Sequence, residues 1–136
     1  MSRDATKALI KDYYTAFNAG DVEGFLELLD ENVLHDINQG AREKGKKAFA
    51  AFLERMNRSY EEQIVDLMIL TNDDGSRAAC EFTVLGKYLK TDEGLPKASG
   101  QPYRLAAGAF FVVRDGKIAR ISNYYNLEDW LKQVKA

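Results

Sequence analysis

Apolar residues recur at helical spacing through the first part of the chain and at strand spacing from Gln63 onward. Leu9, Tyr13, Ala16 and Phe17 share one face of a helix, and Ile10 and Tyr14 widen it. The spacing predicts a helix over 4–18, closed by Asn18-Ala19-Gly20, with Gly20 suited to a left-handed cap. Asp21 is placed to cap a second helix over 22–29, whose stripe is Val22, Phe25, Leu26 and Leu29. A short strand from Val33 to Asn38 follows, with Val33, His35 and Ile37 on one face and Leu34, Asp36 and Asn38 on the other. Residues 40–45 read as a loop. Ala48, Phe49, Phe52, Leu53 and Met56 then mark a third helix over 46–58, with Arg55 and Arg58 near its C-terminal end.

The period then becomes that of strands, expected over 63–71, 77–89, 103–113 and 117–125. Asn72-Asp73-Asp74-Gly75 and Arg114-Asp115-Gly116 are tight turns, and a polar connection holds Pro96 with Pro102 at its edge. Hairpin logic makes these four strands antiparallel neighbours. Alternation puts Phe82, Val84, Phe111 and Tyr125 on the inner face and Thr83, Leu85, Phe110 and Val112 on the outer one. Asn126 caps a short last helix carrying Leu127, Trp130, Leu131 and Val134. Helices first and a sheet afterwards imply an α+β domain spanning 1–136.

The 136 residues suit one domain with a real core. Nineteen basic and 21 acidic side chains are interspersed and give a net charge of −2, which argues against nucleic acid as a partner. The single Cys80 forms no internal disulfide, and no Cys or His cluster has metal-ligand spacing, so neither metal nor cofactor is expected. No apolar run suits a membrane span or a leader, and a cytoplasmic protein is the expectation. The apolar outer sheet face points to a homodimer.

The stretches YYTAFNAGD at 13–21, VLHDIN, HDINQG, TDEGLP and GKIARISNYYNL resemble the ketosteroid isomerase-related, SnoaL-like proteins of the NTF2-like superfamily, over nearly the whole chain. The resemblance implies a cone-shaped α+β barrel. Three N-terminal helices would pack in a strongly bent antiparallel sheet around a pocket for a small apolar or amphipathic molecule. Aligned through NAGD, Tyr13 falls where the isomerases keep an oxyanion-hole tyrosine. Their general-base aspartate falls on Ile37, and their protonated aspartate on Ala109. The catalytic aspartate of the SnoaL-like cyclases falls on Asn123. None of these three replacements can take up a proton.

His35, two residues before Ile37, shares its face and is the foremost catalytic candidate, as a general base or a donor. The alternative is a core histidine bonded to a carbonyl or to Tyr13. Tyr13 in turn either polarises a ligand oxygen or serves as a core aromatic. Asp36 is the nearest carboxylate to the expected base position, but alternation turns it away unless a bulge re-aims it. Ile37, Phe52, Phe82, Val84, Ala109, Phe111, Asn123 and Tyr125 are expected to line the pocket. The implied activity is isomerase, cyclase or hydratase chemistry on a small carbonyl or hydroxyl compound, without efficient steroid isomerisation. The alternative is a non-catalytic binding or dimeric assembly module.

Overall fold

The computed structural model describes residues 2–135. Helix α1 (Arg3–Ala19) starts on Ser2, whose side chain accepts from the Ala5 amide, and ends on Gly20 at φ 69°. Asp21 caps α2 (Val22–Glu27) by accepting from the Gly24 amide at 3.0 Å. Strand β1 (Leu29–Asp36) and the short strand β2 (Arg42–Lys44) precede α3 (Lys46–Ser59). Strands β3 (Tyr60–Thr71), β4 (Arg77–Tyr88), β5 (Gln101–Arg114) and β6 (Lys117–Tyr125) follow, and α4 (Leu127–Val134) closes the chain. Its cap is the Asn126 side chain, which accepts from the Asp129 amide.

The six strands form one curved sheet in the order β2-β1-β6-β5-β4-β3. It departs from the expected architecture in three ways. The sheet is open, with β2 and β3 as its two edges, so the expected barrel does not close. Strand β1 runs parallel to β6, whereas every other pairing is antiparallel. Hairpin logic governs only strands joined by short turns, and β1 and β6 are joined by the whole middle of the chain. The expected loop at 40–45 holds β2, whose Arg42 pairs with Asp36 across the ladder. Strand β1 also begins at Leu29, where α2 was expected to continue.

All four helices cover one face of the sheet, and their apolar stripes meet its inward residues to form the core. Ile10, Phe25, Leu29, Val33, Phe49, Phe111, Ile118 and Ile121 are buried there. Helix α1 is pinned at both ends. Thr6 Oγ1 donates to the Gly75 carbonyl at 2.6 Å, and Asn18 pairs with the Ile64 backbone in both directions, at 2.8 and 2.9 Å. The Asn18 amide thereby acts as a short extra strand beside β3, satisfying donors that a helix cannot. On the uncovered face Met68, Leu70, Phe110 and Tyr124 are each at least half exposed.

Candidate functional site

Between the helices and the inner sheet face runs an unbroken series of ring contacts. Phe82 of β4 meets Tyr14 of α1 at 5.2 Å between centroids, and Tyr14 meets Tyr13 edge-on at 4.9 Å. Tyr13 lies 4.3 Å from Phe25, which meets Phe49 at 5.5 Å. Phe49 stacks on His35 at 4.2 Å, and Phe52 meets the same imidazole edge-on at 4.7 Å. Helix spacing explains the gathering, since Phe49 and Phe52 sit three residues apart on one face of α3. Such offset and edge-on pairs favour fixed ring positions beyond simple burial.

Two polar atoms in this aromatic wall have no hydrogen-bond partner within the protein: His35 Nδ1 and Tyr14 Oη. Burial pushes the His35 imidazole down to about 4, against a smaller opposing pull from the Asp36 charge. His35 is therefore neutral at pH 7, with one nitrogen an acceptor and the other a donor. Burial also raises the hydroxyls of Tyr13 and Tyr14, so both remain donors. It pushes the Cys80 thiol up to about 12, which removes it as a nucleophile.

The inward residues fall into two groups. His35, Tyr13, Phe82, Val84, Ala109 and Phe111 are buried. Ile37, Phe52 and Asn123 are half-buried, and Tyr125 is more open still. Asn123 stands beside Ala109, and Tyr125 beside Ala107, in the register of β5 and β6. Asp36 is not with them. It turns to the outer face, where Arg42 donates to it twice, at 2.5 and 3.0 Å, and Ser122 Oγ donates at 2.6 Å. These bonds, led by Arg42, hold its carboxyl down at about 2, so it is both misdirected and too weak a base for proton removal near neutral pH.

The inner face does carry a carboxylate that the sequence reading passed over. Glu62 on β3 has the same alternation as the buried Ile64, is half-buried, and accepts from Tyr103 Oη at 2.5 Å. Two signals mark it: its parity with Ile64, and Gly86 within a long strand, where a missing side chain implies a close approach. Tyr14 was read only as part of a helix face. No group of three metal-ligating side chains is gathered among the described residues.

Solved structures resemble the chain closely. A Pseudomonas putida KT2440 protein provisionally assigned as a polyketide cyclase is 60% identical, with 98% of each chain covered and a TM-score of 0.94. One from Silicibacter sp. TM1040 with the same provisional assignment is 48% identical, covering 100% of this chain and 99% of that one, with a TM-score of 0.96. An NTF2-like protein from Burkholderia xenovorans LB400, at 19% identity with 98% of each chain covered and a TM-score of 0.78, shares the fold. Among curated proteins none matches. The SnoaL-like domain family matches residues 10–121, most of the chain, leaving out the start of α1, the end of β6 and α4. The chain belongs to the SnoaL-like domain family, on an NTF2-like α+β fold.

Proposed function

We propose that the chain takes a small, uncharged, largely apolar carbonyl or phenolic compound against its inner face and performs proton-transfer chemistry of the cyclase or isomerase type. The observation that carries this reading is the pair of unpartnered polar atoms, His35 Nδ1 and Tyr14 Oη, set in a wall of aromatic rings. A buried polar atom without a partner costs about 1–3 kcal/mol, and a ligand that supplies one recovers that energy on binding. A wall of rings with a few placed polar groups is the usual composition of a small-molecule site. A neutral imidazole and a protonated phenol suit a neutral ligand, because neither can offset a buried charge. The provisional cyclase assignment of relatives at 48% to 60% identity supports the same class of compound.

A non-catalytic binding module is the second reading. It is favoured by the face-to-face packing of His35 on Phe49 and by an exposure of the histidine of only 2%. Calorimetric titration with 2-naphthol and 2-tetralone tests the binding on which both readings depend. Wild type is expected to bind at least one of them, with His35→Ala and Tyr14→Phe each weakening it by about tenfold. The imidazole nitrogen signals of His35 should move on binding. No binding of either compound, or binding that both substitutions leave unchanged, would overturn the reading. Turnover separates the two alternatives.

A further inference from the structure

At the end of the sheet away from His35, three residues stand side by side on adjacent strands. Glu62 of β3 is in register with Gly86 of β4, and Gly86 with Tyr103 of β5. The Tyr103 ring lies across the glycine: a Cβ there would come within 2.3 Å of Tyr103 Cζ and 2.5 Å of its hydroxyl. Only a residue without a side chain lets the phenol cross β4 and reach the carboxylate two strands away. Trp130 of α4 meets the Tyr103 ring edge-on at 6.0 Å. The hydroxyl then donates to Glu62 Oε2. Among the described residues no cationic nitrogen forms an ion pair with this carboxylate.

Glu62 is half-buried, and Tyr125 is 38% exposed, its hydroxyl held up by burial first and by the nearby Glu62 charge second. Tyr60, which donates to Asp92 at 2.8 Å, lies near Tyr103 and Tyr125. Burial raises the Glu62 carboxyl above its usual range, and the Tyr103 hydrogen bond partly reverses this. A carboxylate so placed is a better base than one in water.

We propose that Glu62, oriented by Tyr103 across Gly86, is a catalytic base of the inner face, acting from β3 at a different place from Ile37, Ala109 and Asn123. This rests on the reading that a carbonyl compound binds against the inner face, with its reacting carbon at the end bordered by Tyr125 and Tyr103 rather than beside His35. Glu62 removes a proton from the carbon beside the carbonyl, and the C–H electron pair moves into the enolate, whose oxygen accepts from a neutral donor such as Tyr125. The enolate carbon then attacks a second carbonyl of the same molecule, closing a C–C bond, and Glu62 returns its proton to the new alkoxide. Alternatively, the proton returns to a different carbon of the same molecule. Either sequence is redox-neutral and uses no co-reactant. Tyr103 is a positioning residue: it sets the carboxylate and touches no substrate.

The test uses 2-tetralone in deuterium oxide, with exchange at its acidic carbon followed by proton NMR and binding followed by Trp130 fluorescence. Wild type is expected to bind the ketone and to accelerate exchange. Glu62→Gln should bind within about threefold of wild type while exchange falls about 100-fold or more. Tyr103→Phe should keep exchange but move the acid limb of its pH profile upward, because the lost hydrogen bond favoured the ionised carboxylate. Glu62→Gln that binds and exchanges like wild type overturns the assignment of Glu62 and leaves the carbonyl site standing. An acid limb unmoved in Tyr103→Phe overturns it as well, and does so even if Glu62→Gln fails to fold. Wild type that neither binds nor exchanges overturns the assignment together with the reading beneath it.

Discussion

The imidazole of His35 lies almost flat against the ring of Phe49, with centroids 4.2 Å apart and planes 14° apart. That contact suits a neutral imidazole in an apolar wall, and it sets a pH dependence. The folded protein holds His35 near 4, while the unfolded chain takes up its proton near 6.5. Above about pH 6.5 neither state is protonated and the fold is at full strength. As pH falls toward 4 the unfolded state gains the proton first, and stability drops by about 3 kcal/mol in total, levelling off below that. Urea unfolding across this range should show the drop in wild type and not in His35→Asn. The raised carboxyl of Glu62 works in the opposite sense, so the difference between the two proteins isolates the histidine.

Asp36→Asn should leave ligand binding unchanged and lower stability by about 1 kcal/mol. The carboxylate joins Arg42 of the edge strand β2 to Ser122 of β6 on the outer face, away from the rings. Binding of 2-naphthol, compared with a thermal melt of the same sample, checks both halves of the expectation. Lost binding in a stable variant would contradict the outward placement.

Two copies of the chain are expected to associate through the uncovered sheet face. Met68, Leu70, Phe110 and Tyr124 expose large apolar side chains on it, and Phe110 and Tyr124 pack edge-on at 5.7 Å. Light scattering at micromolar concentration should give a dimer, and Phe110→Asp should give a monomer with the helices intact by circular dichroism. A monomeric wild type would rule this out.

A β,γ-unsaturated ketosteroid should be converted slowly, if at all. The resemblance to the isomerases puts Ile37 and Ala109 where a base worth about 10²–10⁴-fold and an oxyanion donor worth about 10²–10³-fold would stand. Glu62 does not fill the gap for this substrate. It is level with Gly86, six residues along β4 from Cys80, the neighbour of Ala109. Absorbance of the conjugated product measures the rate, and turnover like that of an efficient steroid isomerase would refute the expectation.

The helices were legible because their caps and apolar spacing are local signals. Gly20, Asp21 and Asn126 end or begin helices as read, and the period shift after Gln63 located the four long strands within a few residues. The Arg42–Lys44 strand was not legible. Its three polar residues show no hydrophobic alternation, and only the ladder with Leu34, His35 and Asp36 defines it. The partner of β1 could not be read either, since no turn connects it to β6. At the site, parity placed His35 inward and Asp36 outward. Glu62 escaped because Glu61-Glu62-Gln63 looks like a solvated strand end. The phenol that draws Glu62 inward comes from 41 residues later in the chain.

The parallel pairing of β1 with β6 has a consequence for how the protein is made. Strand β6 lies between β1 and β5, so the last strand to leave the ribosome joins the two halves of the sheet. Until it emerges, β1 and β2 form a two-stranded fragment with the early helices, and β3, β4 and β5 a separate meander with an unpaired edge. Such sequence-distant pairing is slow, and the waiting edges are available to other chains. A nascent chain stalled before Lys117 should therefore be protease-sensitive in its first forty residues and prone to aggregate, while one extended through Tyr125 and clear of the exit tunnel should not.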